Sequence, residues 1–292
     1  MNREELLATY GSGVRVLDHG HVRLVDVMGD DERIEQVARL SYEGGRRRSE
    51  TRGLLRYLMR HRHTSPFEQA AITLDIKLPI FVARQLVRHR TQSLNEVSGR
   101  YSVLPEEFYV PDPEQICYQD ANNRQGRAGA LNRHDASTLQ SALRTGAENA
   151  FAIYGVALDW GVAKETARLG LPVSTYTHWW TTWDAHNLLH MLALRLDTHA
   201  QWEIRQYAEA IARIVRDWLP ITWEAFEDYR LGAVTLSRQE VAYLRDVCAT
   251  YKRASLDATG TTVGQDLRAL EPTGMSRREI ETFHRQFFGE CP

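Results

Sequence analysis

Residues 88–101 read Arg-His-Arg-Thr-Gln-Ser-Leu-Asn-Glu-Val-Ser-Gly-Arg-Tyr. Arg88, His89, Arg90 and Arg100 surround Ser93, Asn95, Ser98 and a single carboxylate, Glu96. Arg84 and Gln85 lie one helical turn earlier. Planar guanidinium forks match phosphate oxygens in pairs, and the hydroxyl and amide groups between them can frame a planar polar ring. The chemistry this set favours is the grip of a small anion. Arg84 and Arg88 have i,i+4 spacing, so a helix through both puts like charges on one face. An anionic ligand relieves that repulsion. A solvated basic face is the plainer alternative.

Arg195 is a second anomaly. The stripe of Leu188, Met191 and Leu192 continues into it. A guanidinium turned inward needs an anion or several acceptors, and an ion pair to a buried acid would serve as well as a ligand. His186 and His190 are spaced one turn apart, with His63, His178 and His199 as further imaginable metal ligands. No HExxH pattern and no cysteine partner accompany them, so no metal is expected. Ser98 lacks a GxSxG elbow and reads as a ligand donor rather than a nucleophile. Cys117 has nothing near it in sequence to lower its pKa. Trp179, Trp180 and Trp183 read as core, or as an aromatic wall beside a flat cofactor.

The elements that must position these groups follow from periodicity. His21 to Met28 alternates as a strand, and Asp30 to Leu40 and Thr51 to Arg62 have helical spacing. Gly44 to Glu50 is a Gly/Arg-rich turn. Ser65-Pro66-Phe67-Glu68 carries a helix-start signature. Ile72, Leu74, Ile76 and Leu78 alternate with polar residues as a half-buried strand. Pro79 opens a helix expected to run through Arg90. Glu114 to Asp135 reads as a long polar loop, and Ser137 to Leu169 as a helix stopped near Gly170 and Pro172. Ser174 to Trp183 is a strand or a buried turn. Ala185 to Thr198 and Ala200 to Leu219 are helices, the second with Ile204, Tyr207, Ala208, Ile211, Val215 and Trp218 on one face. Beyond Leu231 the character changes. Ser237-Arg-Gln-Glu240 and Ser276-Arg-Arg-Glu279 are capping-box patterns of a helical appendage.

The composition bounds the partners. The chain has 292 residues, 43% hydrophobic and 25% charged, with a formal net charge of -2. That balance speaks against a general nucleic-acid or membrane-surface binder, so the cationic cluster is local. Three scattered cysteines, Cys117, Cys248 and Cys291, offer no disulfide framework or zinc knuckle. No apolar run approaches the roughly 18 residues of a membrane span, and the first residues lack a signal peptide's apolar core. A cytoplasmic setting is expected.

The run from Arg88 to Tyr101 resembles the signature of the flavin-dependent thymidylate synthases, the ThyX family. Further segments resemble that family in order: His63-Thr-Ser65-Pro-Phe-Glu68, Pro79-Ile-Phe-Val-Ala-Arg-Gln85, Ala167-Arg168-Leu-Gly-Leu-Pro172, and Leu194-Arg195-Leu-Asp-Thr-His199-Ala-Gln-Trp-Glu203-Ile. Together they span roughly residues 15–230. The Asn122-Asn-Arg-Gln-Gly126 loop is similar to a segment of longer members, and the expectation is that it covers the site.

The resemblance implies an α+β fold of the ThyX type, a central mixed or antiparallel sheet flanked by long helices. The expected division is a catalytic domain over 1–234 and a helical C-terminal extension over 235–292. It implies a homotetramer with shared active sites, FAD as cofactor, and NADPH and methylenetetrahydrofolate as co-substrates. The implied reaction is reductive methylation of dUMP to dTMP without an enzymatic cysteine nucleophile; the alternative is C5-methylation of another pyrimidine nucleotide such as UMP. Carried over by position, Gln85, Arg88, Glu96, Val97, Ser98, Gly99, Arg100 and Arg168 hold dUMP. Arg195 contacts the uracil and is catalytic with His63. Ser65, Arg88, His89, Arg90 and Glu96 contact FAD. The family's flavin-contacting helix often begins Asn-x-Arg; here Asp184-Ala-His186 stands in that place, with His190 one turn on. A non-catalytic flavin-binding regulator is the rival of another class, and intact His63 and Arg195 speak against it.

Overall fold

The computed structural model describes residues 1–41, 50–121 and 125–245, together with Glu279. The Gly/Arg-rich turn apart from Glu50, Asn122 to Arg124, Cys248, Cys291 and all of the Ser276 capping pattern but Glu279 lie outside the described residues. Met1–Leu231 forms one compact unit and Gly232–Pro292 a second.

In chain order the first unit runs α1 (Arg3–Tyr10), β1 (Val14–Val16), β2 (Gly20–Met28), α2 (Asp31–Arg39), α3 (Thr51–Arg60), β3 (Ala71–Pro79), α4 (Ile80–Leu86), β4 (Ser93–Glu96), β5 (Cys117–Gln119), β6 (Arg127–Ala130), α5 (Arg133–Asp159), α6 (Lys164–Ala167), β7 (Tyr176–Asp184), α7 (Ala185–Arg195), α8 (Trp202–Trp218) and α9 (Pro220–Phe226). This is the expected α+β class. The main sheet is antiparallel in the order β1-β2-β3-β7-β4.

The alternation in β3 sets the sheet's two faces. Ile72, Leu74, Ile76 and Leu78 are buried, and Trp179 and Trp183 join them from β7. This inner face meets α7 and α8 in one hydrophobic core. All six residues expected on the inner stripe of α8 are buried. Tyr207 of α8 also donates its hydroxyl to the Lys77 carbonyl at 2.9 Å, and Trp218 donates to the Gly29 carbonyl at 2.7 Å. The outer face presents His21, Arg23, Thr73, Asp75, Lys77, His178, Trp180 and Thr182, as the register requires.

Several boundaries differ from the sequence reading. Ser65 to Glu68 starts no α-helix: Phe67–Gln69 makes one 3-10 turn, because β3 takes over at Ala71. The helix after Pro79 ends at Leu86 rather than Arg90, and Arg88 and His89 close a tight turn onto the Gln85 and Leu86 carbonyls. Residues 93–96, to which the periodicity assigned no element, are an edge strand on β7. The polar loop after Glu114 contains the β5–β6 hairpin. Helix α5 begins earlier than expected, with Asn132 accepting from the Asp135 amide. It stops at Gly161, whose φ of 75° supports a Schellman closure: Gly161 N–H bonds Leu158 and Val162 N–H bonds Ala157, both at 2.9 Å. In the second unit, Ser237 and Glu240 exchange the expected capping bonds before a helix over 238–245.

Leu74 lies fully buried in the central strand. Leu74→Ala is expected to lower the unfolding free energy by about 2–5 kcal/mol. Chemical denaturation checks this: the midpoint falls while the slope is kept.

Candidate active site

The pairing of β3 with β7 delivers two halves of a cluster. Helix α4 leaves one end of the ladder after Pro79, and α7 leaves the other end after Asp184. His89, in the turn after α4, meets Arg195, the last residue of α7: Arg195 Nε donates to His89 Nε2 at 2.9 Å. The His89 ring also lies 6.4 Å from Trp183 and 6.4 Å from His190, centroid to centroid.

This contact fixes a protonation state. Burial first, then the Arg195 and His190 charges, pull the His89 pKa down to about 4. At neutral pH the ring is uncharged, its Nε2 lone pair accepts from Arg195, and its proton sits on Nδ1. Burial also lowers the pKa of Arg195, which stays cationic at neutral pH. The Nη1 and Nη2 donors of Arg195 make no hydrogen bond among the described residues. The inward arginine therefore has an imidazole partner, not a buried acid.

The turn carrying His89 is held by Gln92, which the sequence reading did not single out. Its amide donates to the His89 carbonyl at 2.9 Å and accepts from Thr181 Oγ1 at 2.6 Å. Strand β4 then runs along β7. Its last residue, Glu96, accepts from Thr177 Oγ1 at 2.5 Å, and Val97 N–H donates to the His178 carbonyl at 2.8 Å. Beyond it the Ser98 carbonyl accepts from Tyr101 and Ser102 amides, both at 3.0 Å. Gly99 is buried because Arg168 packs over it. A Cβ there would stand 3.2 Å from Arg168 Cδ and 3.3 Å from its Nη1. The loop and Arg168, distant in sequence, are thus one surface.

Gln85 bonds the side-chain carbonyl of Gln201, whose amide in turn reaches Glu203 at 2.8 Å. Gln201 was foreshadowed only as part of the His199-Ala-Gln-Trp-Glu run. Arg100 is occupied: its Nε and Nη2 both lie 3.0 Å from Glu165. Arg84, Arg88, Arg90 and Arg168, by contrast, form no ion pair among the described residues. Guanidinium groups without counter-ions, three of them exposed within residues 84–90, can take a ligand bearing phosphate or diphosphate. The donor set thus fits both a nucleotide monophosphate and a dinucleotide flavin.

The remaining expected residues divide. Asp184 caps α7, with Oδ1 accepting from the Asn187 amide at 2.9 Å and Oδ2 from its side chain at 2.7 Å. His190 and partly buried His186 follow on that helix. His63 and Ser65 are exposed after α3; His63 lies near Tyr57 and His61. No hydrogen bond, ion pair or ring contact joins His63 or Ser65 to Arg195, His89 or the 96–100 segment within the chain, among the described residues. Nor do His63, His186, His190 and His199 gather as metal ligands. His178 does approach two other ligand-type side chains, His21 and Asp75, on the outer face.

The chain resembles several known proteins. Residues 23–221 match a family described as thymidylate synthase complementing protein. The flavin-dependent thymidylate synthase of Thermus thermophilus is 52% identical over 261 residues, covering 88% of this chain and 94% of the relative. That of Ruegeria pomeroyi is 47% identical over 273 residues, covering 92% and 85%. Among solved structures, a UMP/dUMP methylase PolB from Streptomyces cacaoi bound with 5-Br UMP superposes with a TM-score of 0.67 at 37% identity, covering 75% of this chain and 98% of that one.

The His89 environment has a measurable signature. Its imidazole is expected to titrate near pH 4, against about 6.5 for a free ring. Between those values the unfolded chain binds the extra proton, so His89 makes the fold less stable as pH falls from about 6.5 to about 4. NMR titration of labelled histidines checks this; a His89 midpoint near 6.5 contradicts the buried contact with Arg195.

Proposed function

The chain belongs to the flavin-dependent thymidylate synthase family, and from that premise we propose how its residues carry out the reductive methylation of dUMP to dTMP. When bound, reduced FAD supplies hydride, and methylenetetrahydrofolate supplies one carbon; NADPH is the reductant. Among the described residues the one cysteine, Cys117, lies on β5 and takes no part.

The observation that carries the reading is the Arg195–His89 contact beside arginines without counter-ions. Arg88 and Arg168 are the phosphate grips for dUMP, with Arg100 joining them by exchanging Glu165 for the ligand. Gln85, Glu96, Val97, Ser98 and Gly99 shape the remainder of the nucleotide pocket, where Gly99 permits close backbone approach. Neutral His89 holds Arg195 by its Nε, which aims the free Nη donors. Arg195 stands beside the pyrimidine and stabilises negative charge that develops on the ring, as a fixed cation in a partly buried site does without reorganising. Arg88, His89, Arg90 and Glu96 face FAD, with Asp184, His186 and His190 on the helix behind and Ser65 completing the contact.

His63 is assigned to placing folate or substrate by the flavin. Family membership supports a site shared between subunits of a homotetramer, with His63 and Ser65 as candidates for the contribution from a neighbouring subunit. Catalysis is assigned to residues 1–234. No described helix is long and apolar enough to cross a membrane, and the proposed location is the cytoplasm.

Incubation with dUMP, NADPH, FAD and methylenetetrahydrofolate is expected to yield dTMP, with dUMP used in preference to UMP. No dTMP, or preference for UMP, contradicts the reading. Arg195→Ala is expected to reduce kcat by about 10²–10³-fold, the usual cost of removing a preorganised charge donor. Arg168→Ala is expected to raise the KM for dUMP by about 10–100-fold, the loss of one charge-assisted bond of about 1.5–3 kcal/mol. Steady-state kinetics separate the two effects.

A further inference from the structure

The outer face of the sheet carries a second constellation that the nucleotide site does not use. His21 on β2, Asp75 on β3 and His178 on β7 bring one ligand-type atom each within 4.8 Å of one another. The register explains this. His21 and His178 both pair with Lys77, on either side of it, and Asp75 precedes Lys77 by two residues on the same face. Lys77 itself is drawn aside: its ammonium lies 2.6 Å from Glu107 and 5.7 Å from the Tyr176 ring centroid.

The carboxylate at the centre is unusually constrained. The Asp75 side chain is 5% exposed, although it stands on the sheet's outer face. Its Oδ1 faces both imidazoles, His21 Nε2 at 3.2 Å and His178 Nε2 in close contact. Its Oδ2 is held by Arg23 Nε at 3.0 Å. Burial opposes the charge, yet the bonds from Arg23, His178 and His21 outweigh it and bring the pKa down to about 2. The group is an anion at neutral pH. His21 and Asp75 also line a cavity of about 440 Å³ with Arg15, Asp18 and His19.

We propose that His21, Asp75 and His178 bind a divalent transition cation of the zinc class, at a site separate from the nucleotide pocket. Two imidazoles and one carboxylate are a ligand set such ions accept, with remaining positions open to water. Bonds of about 2.0–2.1 Å in a tetrahedron place neighbouring ligand atoms about 3.3 Å apart, close to the His21–Asp75 separation. The His178 side chain is 47% exposed, so a change of its rotamer to that spacing meets solvent on one side. Arg23 occupies the oxygen that does not face the imidazoles and so orients the ligating carboxylate, the role outer-shell partners play at metal sites. The ion would tie three neighbouring strands together and stabilise the fold by mass action.

Titrating Zn²⁺ into the FAD-loaded full-length chain, followed by calorimetry, tests this. The expected result is one ion per chain and a raised Tm. In Co²⁺-loaded protein, a visible absorption band should appear with the same stoichiometry. His21→Ala and His178→Ala, both at partly exposed positions that tolerate truncation, should each weaken binding by at least about tenfold while dTMP formation by His21→Ala is unchanged. His134→Ala, an exposed histidine elsewhere, should bind as the parent does. No stoichiometric uptake by the intact chain, or unchanged affinity in both cluster variants, overturns the proposal and leaves the cluster a hydrogen-bonded clamp on Asp75.

Discussion

The nine-residue ladder between β3 and β7 is the constraint on which the site depends. It runs unbroken from Ala71 opposite Asp184 to Pro79 opposite Tyr176, a length of about 27 Å. Helix α4 departs at one end and α7 at the other. Seven residues of α4 cover about 10 Å and eleven of α7 about 16 Å, so helices rooted at opposite ends can meet over the ladder. Their meeting point is the Arg195–His89 hydrogen bond. Slipping β7 by one residue against β3 would turn Trp179 and Trp183 outward and His178 inward. The buried stripe from Ile72 to Leu78 prevents that.

Two groups of arginines among the described residues differ in their partners. Arg52 and Arg56 converge on Glu224, Arg56 also reaches Asp228, and Arg23 is bound by Asp75. These are structural pairs that fasten α3 to α9 or brace the outer face. Arg84, Arg88, Arg90 and Arg168 have no such partners among the described residues, and Arg195 leans on a neutral ring. Of the arginines in the 84–100 segment, Arg100 alone has a carboxylate partner, Glu165, among the described residues. In the proposed function that charge is what the ligand neutralises.

Much of this was legible in the sequence because burial imposes period. The alternation over 72–78 gave β3, and the stripe from Ile204 to Trp218 gave α8, with the inner faces as read. The arginine cluster stood out because residue types alone suggest anion chemistry there. What escaped was whatever depends on single long-range polar contacts. Gln92 captures the His89 carbonyl and Thr181 at once, a choice that no local pattern announces, and the helix read through Arg90 is over by Leu86. Strand β4 is exposed at the sheet edge and pairs through its backbone, so its polar side chains carry no alternation. The same holds for β5 and β6. The union of Arg168 with Gly99, and of His178 with Asp75 and His21, comes from topology, which composition does not encode.

The central claim is that the Arg195–His89 cluster holds a flavin and a pyrimidine nucleotide in working contact. Anaerobic spectroscopy of the purified protein addresses it most directly. The flavin bands should bleach with NADPH and return when dUMP and methylenetetrahydrofolate are added together, with one dTMP formed for each flavin reoxidised; Arg195→Ala should bleach normally and recover slowly. A flavin that NADPH reduces but that dUMP and the folate leave reduced, or recovery unaffected by the loss of Arg195, would contradict the account.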